Sequence, residues 1–285
     1  MSKLRVLTLG LLLLVGLTGT GCAQKSPQTP APGQSGESKG TVTAAGSTAL
    51  QPLVKAAADE FMKSNQGVQV NVSGGGSFTG LNNVASGSVQ IGNSDVPVTA
   101  ELKDKGLVDH QVAVAPFLII VNKSVSVNNL SQAQLKDIFS GKITNWKEVG
   151  GNDQKISIIG RAKSSGSRAT IKEIVNQGVE FTDAAAAQDS TGTLITAVSQ
   201  TPGAVGYIDA AYLKDTVKAI KYNGIEYSPE NVYTGKYPIY AFEHMYTKGE
   251  ASGVVKAFLD YMLSSDFQNK AVEKTGFLPI GKVKK

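Results

Sequence analysis

Apolar positions along the chain follow two alternating rhythms. Short apolar or alternating runs at residues 41–45, 68–72, 89–92, 112–121, 156–159 and 239–246 predict strands. The stretch 49–65 sets Leu50, Leu53, Val54, Ala57, Ala58, Phe61 and Met62 at helical spacing with polar residues between them. Further helices are predicted over 78–86, 130–139, 167–176, 254–263 and 266–273, and the runs at 194–199, 205–208 and 217–220 continue the alternation. The 112–121 run contains Pro116, which suits a buried strand better than a helix. Strands alternating with helices imply an α/β protein whose sheets carry helices on both faces.

Residues 1–39 break this rhythm. Lys3 and Arg5 precede an apolar run over 7–17 and then small residues, the order of a signal peptide spanning 1–21. The run is too short and too interrupted by glycine for a spanning helix. Residues 17–22 read Leu-Thr-Gly-Thr-Gly-Cys, which resembles the lipobox of bacterial lipoproteins, whose cysteine becomes the lipidated first residue of the mature chain. Gly19 stands where that pattern usually has an aliphatic residue, and a plain secreted protein with an unused cysteine is the alternative. On the lipoprotein reading Cys22 carries the lipid, palmitate included. Residues 24–39 hold nothing apolar larger than alanine or proline, so 22–39 serves as a flexible tether to the outer face of the cell membrane.

The rest of the 285 residues can form one large domain or two lobes. With 41% hydrophobic and 18% charged residues the composition is that of a globular protein. The formal charge of +5 drops by two when Lys3 and Arg5 leave with the leader, and no basic run is concentrated enough for nucleic acid. Cys22 is the single cysteine and His110 and His244 the two histidines, so neither a disulfide nor a Cys/His metal cluster is expected. Both histidines lie on predicted strands and read as structural. No cofactor is called for.

Candidate chemistry lies where predicted strands hand over to helices. Three such turns are rich in Gly, Ser and Thr: Ala45-Gly46-Ser47-Thr48-Ala49, Gly74-Gly75-Gly76-Ser77-Phe78-Thr79 and Gly160-Arg161-Ala162-Lys163-Ser164-Ser165-Gly166-Ser167. Helix starts carry unpaired N–H groups and the positive end of the dipole, and glycine lets backbone come close to a ligand. Each turn alone could be an ordinary cap; three together, one bearing Arg161, suggest donors converging on a small tetrahedral anion. Asp95 is the odd member. As an acceptor-only group near such a site it would repel a fully ionised oxyanion and welcome one that keeps a proton, as hydrogen phosphate does and sulfate does not. A solvent-facing turn residue before Pro97 is its plainer reading.

These residues, in order and spacing, resemble the ligand loops of bacterial phosphate-binding proteins of the periplasmic-binding-protein superfamily: residues 43–49, 74–80, 93–97 and 161–168, with 201–207 (Thr-Pro-Gly-Ala-Val-Gly-Tyr) and 275–279 (Thr-Gly-Phe-Leu-Pro) further on. Residues 237–249 resemble the Gram-positive lipoprotein branch. The resemblance implies a type II fold of two α/β lobes, each a mixed sheet flanked by helices, joined by two crossover strands. Lobe 1 would comprise 40–117 plus 236–285 and lobe 2 would span 118–235. It implies that Thr48, through its hydroxyl and amide, the Ala49 amide and Ser77 donate to phosphate, that Asp95 accepts the phosphate proton, and that Arg161 forms the charged fork. Ser165, Gly166 and Ser167 would donate from the opposite lobe. Lys163 stands where enteric relatives carry an acidic residue that orients the arginine. The implied role is capture of inorganic phosphate by a monomer that delivers it to the permease and ATPase subunits of an ABC importer, with no enzyme activity. A receptor for another oxyanion, an extracellular serine hydrolase using Ser165 or Ser167, and a surface adhesin are the other readings; neither a G-x-S-x-G nor an S-x-x-K motif supports the hydrolase.

Overall fold

The computed structural model describes residues 39–283. The leader expected over 1–21, Cys22 and the tether up to Ser38 lie outside the described residues. Within them the chain runs β1 (Gly40–Gly46), α1 (Gln51–Ser64), β2 (Val68–Ser73), α2 (Ser77–Ser86), β3 (Ile91–Ser94), β4 (Leu107–Val121), β5 (Asn129–Leu130), α3 (Gln132–Phe139), β6 (Ser157–Arg161), α4 (Gly166–Ile174), β7 (Ala186–Gln188), α5 (Thr191–Gln200), β8 (Ala204–Asp209), β9 (Lys218–Ala219), β10 (Lys221–Tyr222), α6 (Pro229–Tyr233), β11 (Tyr240–Lys248), α7 (Gly253–Leu263) and α8 (Ser265–Lys270). No helix among them is long and apolar enough to cross a membrane.

The main sheet has the order β2-β1-β3-β11-β4-β8-β6-β7. Parallel pairing joins β1 to β2 and β3, and β6 to β7 and β8. Antiparallel pairing places β11 between β3 and β4, and sets β4 against β8. Mixed sheets of this kind, with helices following the parallel strands, make a two-lobed α/β fold.

The link between the lobes is β4. Its residues Leu107–Pro116 pair with β11, and from Phe117 to Val121 it pairs with β8. Pro116, which has no N–H to give, sits at the hand-over. The second connection passes the same point: Phe117 N–H donates to Ile239 O at 2.8 Å, and the Tyr237 hydroxyl donates to Phe117 O at 2.8 Å. The two connections therefore run side by side where β4 passes from β11 to β8.

Apolar side chains from both halves of the sheet join one continuous core. In the first, Phe61 meets Phe258 edge-on with ring centres 5.5 Å apart. In the second, Phe139, Phe181 and Tyr207 form a mutual cluster. Trp146 is buried there, and its indole N–H donates to Gly203 O at 2.9 Å, which satisfies the one polar atom of that ring.

Several boundaries differ from the pattern for local reasons. The helix expected from 130 begins at Gln132, because Ser131 and Gln134 form a reciprocal capping box, Gln134 N–H to Ser131 Oγ and Ser131 N–H to Gln134 Oε1. Strand β4 reaches back to Leu107, since the polar residues Asp109, His110 and Gln111 find partners on β11. β3 lies two residues beyond the expected run and ends in Asn93 and Ser94, both buried polar residues. β7 and the β5–β10 pair span two or three residues each, too few to carry a period in sequence.

Candidate functional site

Three helix starts meet at the boundary between the lobes. After β1, Ser47 Oγ accepts from the N–H groups of Ala49 and Leu50, so the turn that leads into α1 is closed by its own serine. Gly76 precedes α2 with φ of +93°, a conformation that favours glycine, and a Cβ there would strike the Ser164 carbonyl of the other lobe. Ser165 caps α4 by accepting from Arg168 N–H at 3.2 Å. Gly166 and Ser167 occupy the first turn of that helix, where N–H groups have no acceptor within the helix.

The candidate residues converge. Ser167 Oγ donates to Asp95 Oδ2 at 2.7 Å, from one lobe to the other, and Asp95 N–H donates to Ser77 Oγ at 3.0 Å. Arg161 Nη2 donates to Thr48 Oγ1 at 3.0 Å, again across the boundary. Phe78 N–H donates to Ser164 O, and the Tyr212 hydroxyl donates to Thr48 O. Thr48, Ala49, Ser77, Asp95, Arg161, Ser165 and Ser167 are all buried, with Arg161 only 2% exposed. The lobes are therefore in contact through the very residues singled out in the sequence. Gly166 is what lets them meet: a Cβ there would overlap Ser77 Oγ and touch Asp95.

The position of Lys163 raised the question of what holds the arginine. Backbone carbonyls do. Arg161 Nε donates to Gln188 O at 3.1 Å and Nη2 to Asp189 O at 3.2 Å, while Nη1 donates to Thr191 Oγ1 at 3.0 Å. Each of the three nitrogens has a partner, so the planar fork is set without a local carboxylate. Burial pulls the guanidinium below its ordinary value, and Asp95 first, then Tyr207 and Asp209, act in the opposite sense. A guanidinium stays charged under any such shift.

Residues to which the sequence gives no site role complete the site. Thr191, at the start of α5, donates its N–H to Thr48 Oγ1 at 3.2 Å. Thr48 Oγ1 thus accepts twice, and its own hydrogen can reach Thr191 Oγ1 at 3.3 Å. Tyr207 receives the Arg161 N–H on its hydroxyl oxygen at 3.2 Å, and burial drives its ionisation well up. The Tyr212 hydroxyl is raised to about 12, by burial first and by Asp209 second. Asp209 and Glu243 are buried carboxyls beside Asp95, and both are pushed well above the carboxylate range, by burial first and by Asp95 second. Only the long-range pairings of β8 with β4 and of β11 with β3 and β4 bring them here.

The histidines are elsewhere. His244 Nδ1 lies 2.8 Å from Asp109 Oδ1 and its ring stacks on Tyr246, while His110 Nε2 lies 3.1 Å from Thr247 Oγ1. Among the described residues no group of three or more His, Cys, Asp or Glu is placed to hold a metal ion.

Chemically the arrangement gathers a cation, hydroxyl groups and helix-start amides near Asp95, with the buried carboxyls Asp209 and Glu243 beside it and donors supplied by both lobes. Such a set of donors could hold a compact anion, with both lobes contributing. Gly166→Ala should therefore weaken ligand binding by about tenfold or more, the scale of overpacking a tight contact. Its ligand-free melting temperature should change little, because the clash exists only when the lobes meet; calorimetric titration beside a thermal melt separates the two.

This is the fold of a two-lobed solute-binding protein, and residues 31–266 match the family model described as the PBP superfamily domain. The chain is 43% identical over 290 residues to the phosphate-binding protein PstS of Bacillus subtilis, covering 99% of this chain and 96% of that one. PstS of Borreliella burgdorferi is 29% identical, over 84% of this chain and 90% of the relative. Among solved structures, a Clostridium perfringens substrate-binding protein assigned to a phosphate ABC transporter, with phosphate bound, superposes with a TM-score of 0.81 at 33% identity, covering 85% of this chain and 100% of that chain. A phosphate transport receptor from Vibrio cholerae superposes with a TM-score of 0.68 at 26% identity, over 83% and 99%. The chain belongs to the family of PstS phosphate-binding proteins within the PBP superfamily.

Proposed function

We propose that this chain is an extracytoplasmic receptor that captures inorganic phosphate between its lobes and delivers it to the permease and ATPase subunits of an ABC importer. One observation carries the choice of ligand: Asp95, an acceptor-only group, is buried among donors from both lobes, with Ser167 Oγ on its Oδ2. An anion entering there must bring a hydrogen of its own for the carboxylate, and hydrogen phosphate has one.

In this reading lobe 1 is 40–117 with 236–285 and lobe 2 is 118–235, hinged where Phe117 meets Ile239. Arg161 offers phosphate the second N–H of Nη1 and, once the Nη2 bond to Thr48 Oγ1 is released to the ligand, a parallel bond from Nη2. Thr48 and Ser77 donate hydroxyls and the amides of Thr48 and Ala49 add to them, although the Ala49 N–H also serves Ser47 Oγ. Ser165, Gly166 and Ser167 donate from the start of α4, and Asp95 takes the phosphate proton. Binding ties the two lobes together, so the ligand stabilises the closed form that the permease reads. The chain binds and hands over its ligand without chemistry, as a monomer held at the outer face of the cell membrane by a lipid on Cys22.

Phosphate should raise the melting temperature in proportion to the logarithm of its concentration, with about 4 kcal/mol gained at a thousandfold excess over the dissociation constant. Sulfate at equal concentration should leave the melt almost unmoved. Equal protection by sulfate would sink the assignment of the ligand.

A further inference from the structure

Glu243 is a buried carboxyl that the phosphate contacts do not use. It is 0% exposed, and neither of its oxygens meets a hydrogen-bond donor among the described residues. The pairing of β11 with β3 sets Met245 opposite Asn93 and His244 opposite Ser94. The next position in that antiparallel register brings Glu243 across from Asp95, on the same face. The two carboxyl groups lie within hydrogen-bonding reach of one another. Asp95 Oδ2 is taken by Ser167, whereas Oδ1 is buried with no donor.

Two carboxylates in contact away from water repel strongly, and a single proton between them converts the repulsion into a charge-assisted bond. We propose that Glu243 carries that proton at neutral pH and donates it to Asp95 Oδ1, so that Glu243 is a positioning residue that fixes the carboxylate facing the ligand. The proposal rests on the reading of Asp95 as the acceptor of phosphate's proton. Held at both oxygens, by Glu243 on one and Ser167 on the other, Asp95 cannot turn to relieve its contact with a proton-free oxyanion. Its rigidity is what makes the rejection of sulfate effective.

The surroundings of Glu243 favour the neutral form from every side. Asp95 faces it from the end of β3 and Asp209 from the end of β8, both acidic. Arg161 acts on Asp95 and Asp209, and His244, next on the strand, turns to Asp109. Burial supplies the largest push, and the two acidic neighbours add to it. A carboxyl whose ionisation is raised in the folded state favours folding at low pH, and that contribution is lost as pH climbs from the ordinary carboxylate range towards the raised value.

The test uses Glu243→Gln and Glu243→Leu in the full chain, titrated with phosphate and with sulfate. Glutamine keeps a neutral donor and should preserve the preference for phosphate to within about threefold, whereas leucine should lower that preference by about tenfold or more, the scale of a bond to a charged group. As pH rises into the alkaline range wild-type affinity should fall as Glu243 ionises beside Asp95, and the glutamine variant should hold its affinity further into that range. Infrared difference spectra of wild type minus Glu243→Gln at neutral pH should show the carbonyl stretch of an un-ionised acid, a readout that needs no ligand. Failure of wild type to bind phosphate would overturn the proposed function; the infrared band would still report the proton. Phosphate binding with no such band, or a folded leucine variant that discriminates like wild type, would overturn the role of Glu243 alone.

Discussion

Arg161→Ala is expected to cost about a thousandfold in phosphate affinity, within the range for truncating one partner of a buried charge pair. The side chain is 2% exposed and reaches Thr48, Thr191 and the carbonyls of Gln188 and Asp189. Removing it takes away the only permanent charge aimed at the anion in the proposed site. It also leaves Asp95 without the cation that acts on it across the lobe boundary. Two acyl carbonyls and two hydroxyls lose a donor at once, so some loss of stability accompanies the loss of binding. Arg161→Lys separates charge from geometry. A single ammonium cannot span four acceptors set around a planar fork, and its variant should recover about tenfold of the lost affinity at most. Calorimetric titration of both variants, with melts to confirm folding, decides the matter; binding within tenfold of wild type in the alanine variant would contradict the role of Arg161.

Asp95→Asn should change which anion binds more than how tightly. The amide is nearly the same size, so the contacts to Ser77 and Ser167 can be kept in outline. Its NH2 group, however, can donate to an oxyanion oxygen that carries no hydrogen. Phosphate should lose a modest factor while sulfate gains, and the preference between them should shrink by about a hundredfold or more. The measurement is competition of sulfate against phosphate in each protein. An unchanged ratio would mean that Asp95 does not face the ligand.

Much of this site could be read along the chain because its donors are local. A strand, a glycine and a serine at a helix start announce themselves in a few neighbouring residues, and the turns at Ser47, Ser77 and Ser165 all open helices as the pattern implies. The family resemblance then assigned Arg161 and Asp95 their roles. What could not be read is everything that depends on pairing between distant strands. Glu243 lies in an apolar strand 148 residues beyond Asp95, and only the register of β11 on β3 brings it across. Asp209 ends β8 with no local cue, and Thr191 looks like one more helix start until it meets Thr48. The grip on Arg161 by the Gln188 and Asp189 carbonyls is likewise invisible, since backbone acceptors leave no trace in residue identity. It also holds Arg161 in place without a carboxylate at position 163.

The most direct test of the account is a crystal structure grown with phosphate. The account predicts one tetrahedral anion between the lobes, bonded in parallel by Arg161 Nη1 and Nη2, receiving the Gly166 and Ser167 amides, and presenting one oxygen within hydrogen-bonding distance of an Asp95 carboxylate oxygen. Phosphate bound on another face, or in the cleft with Asp95 turned away from it, would contradict it.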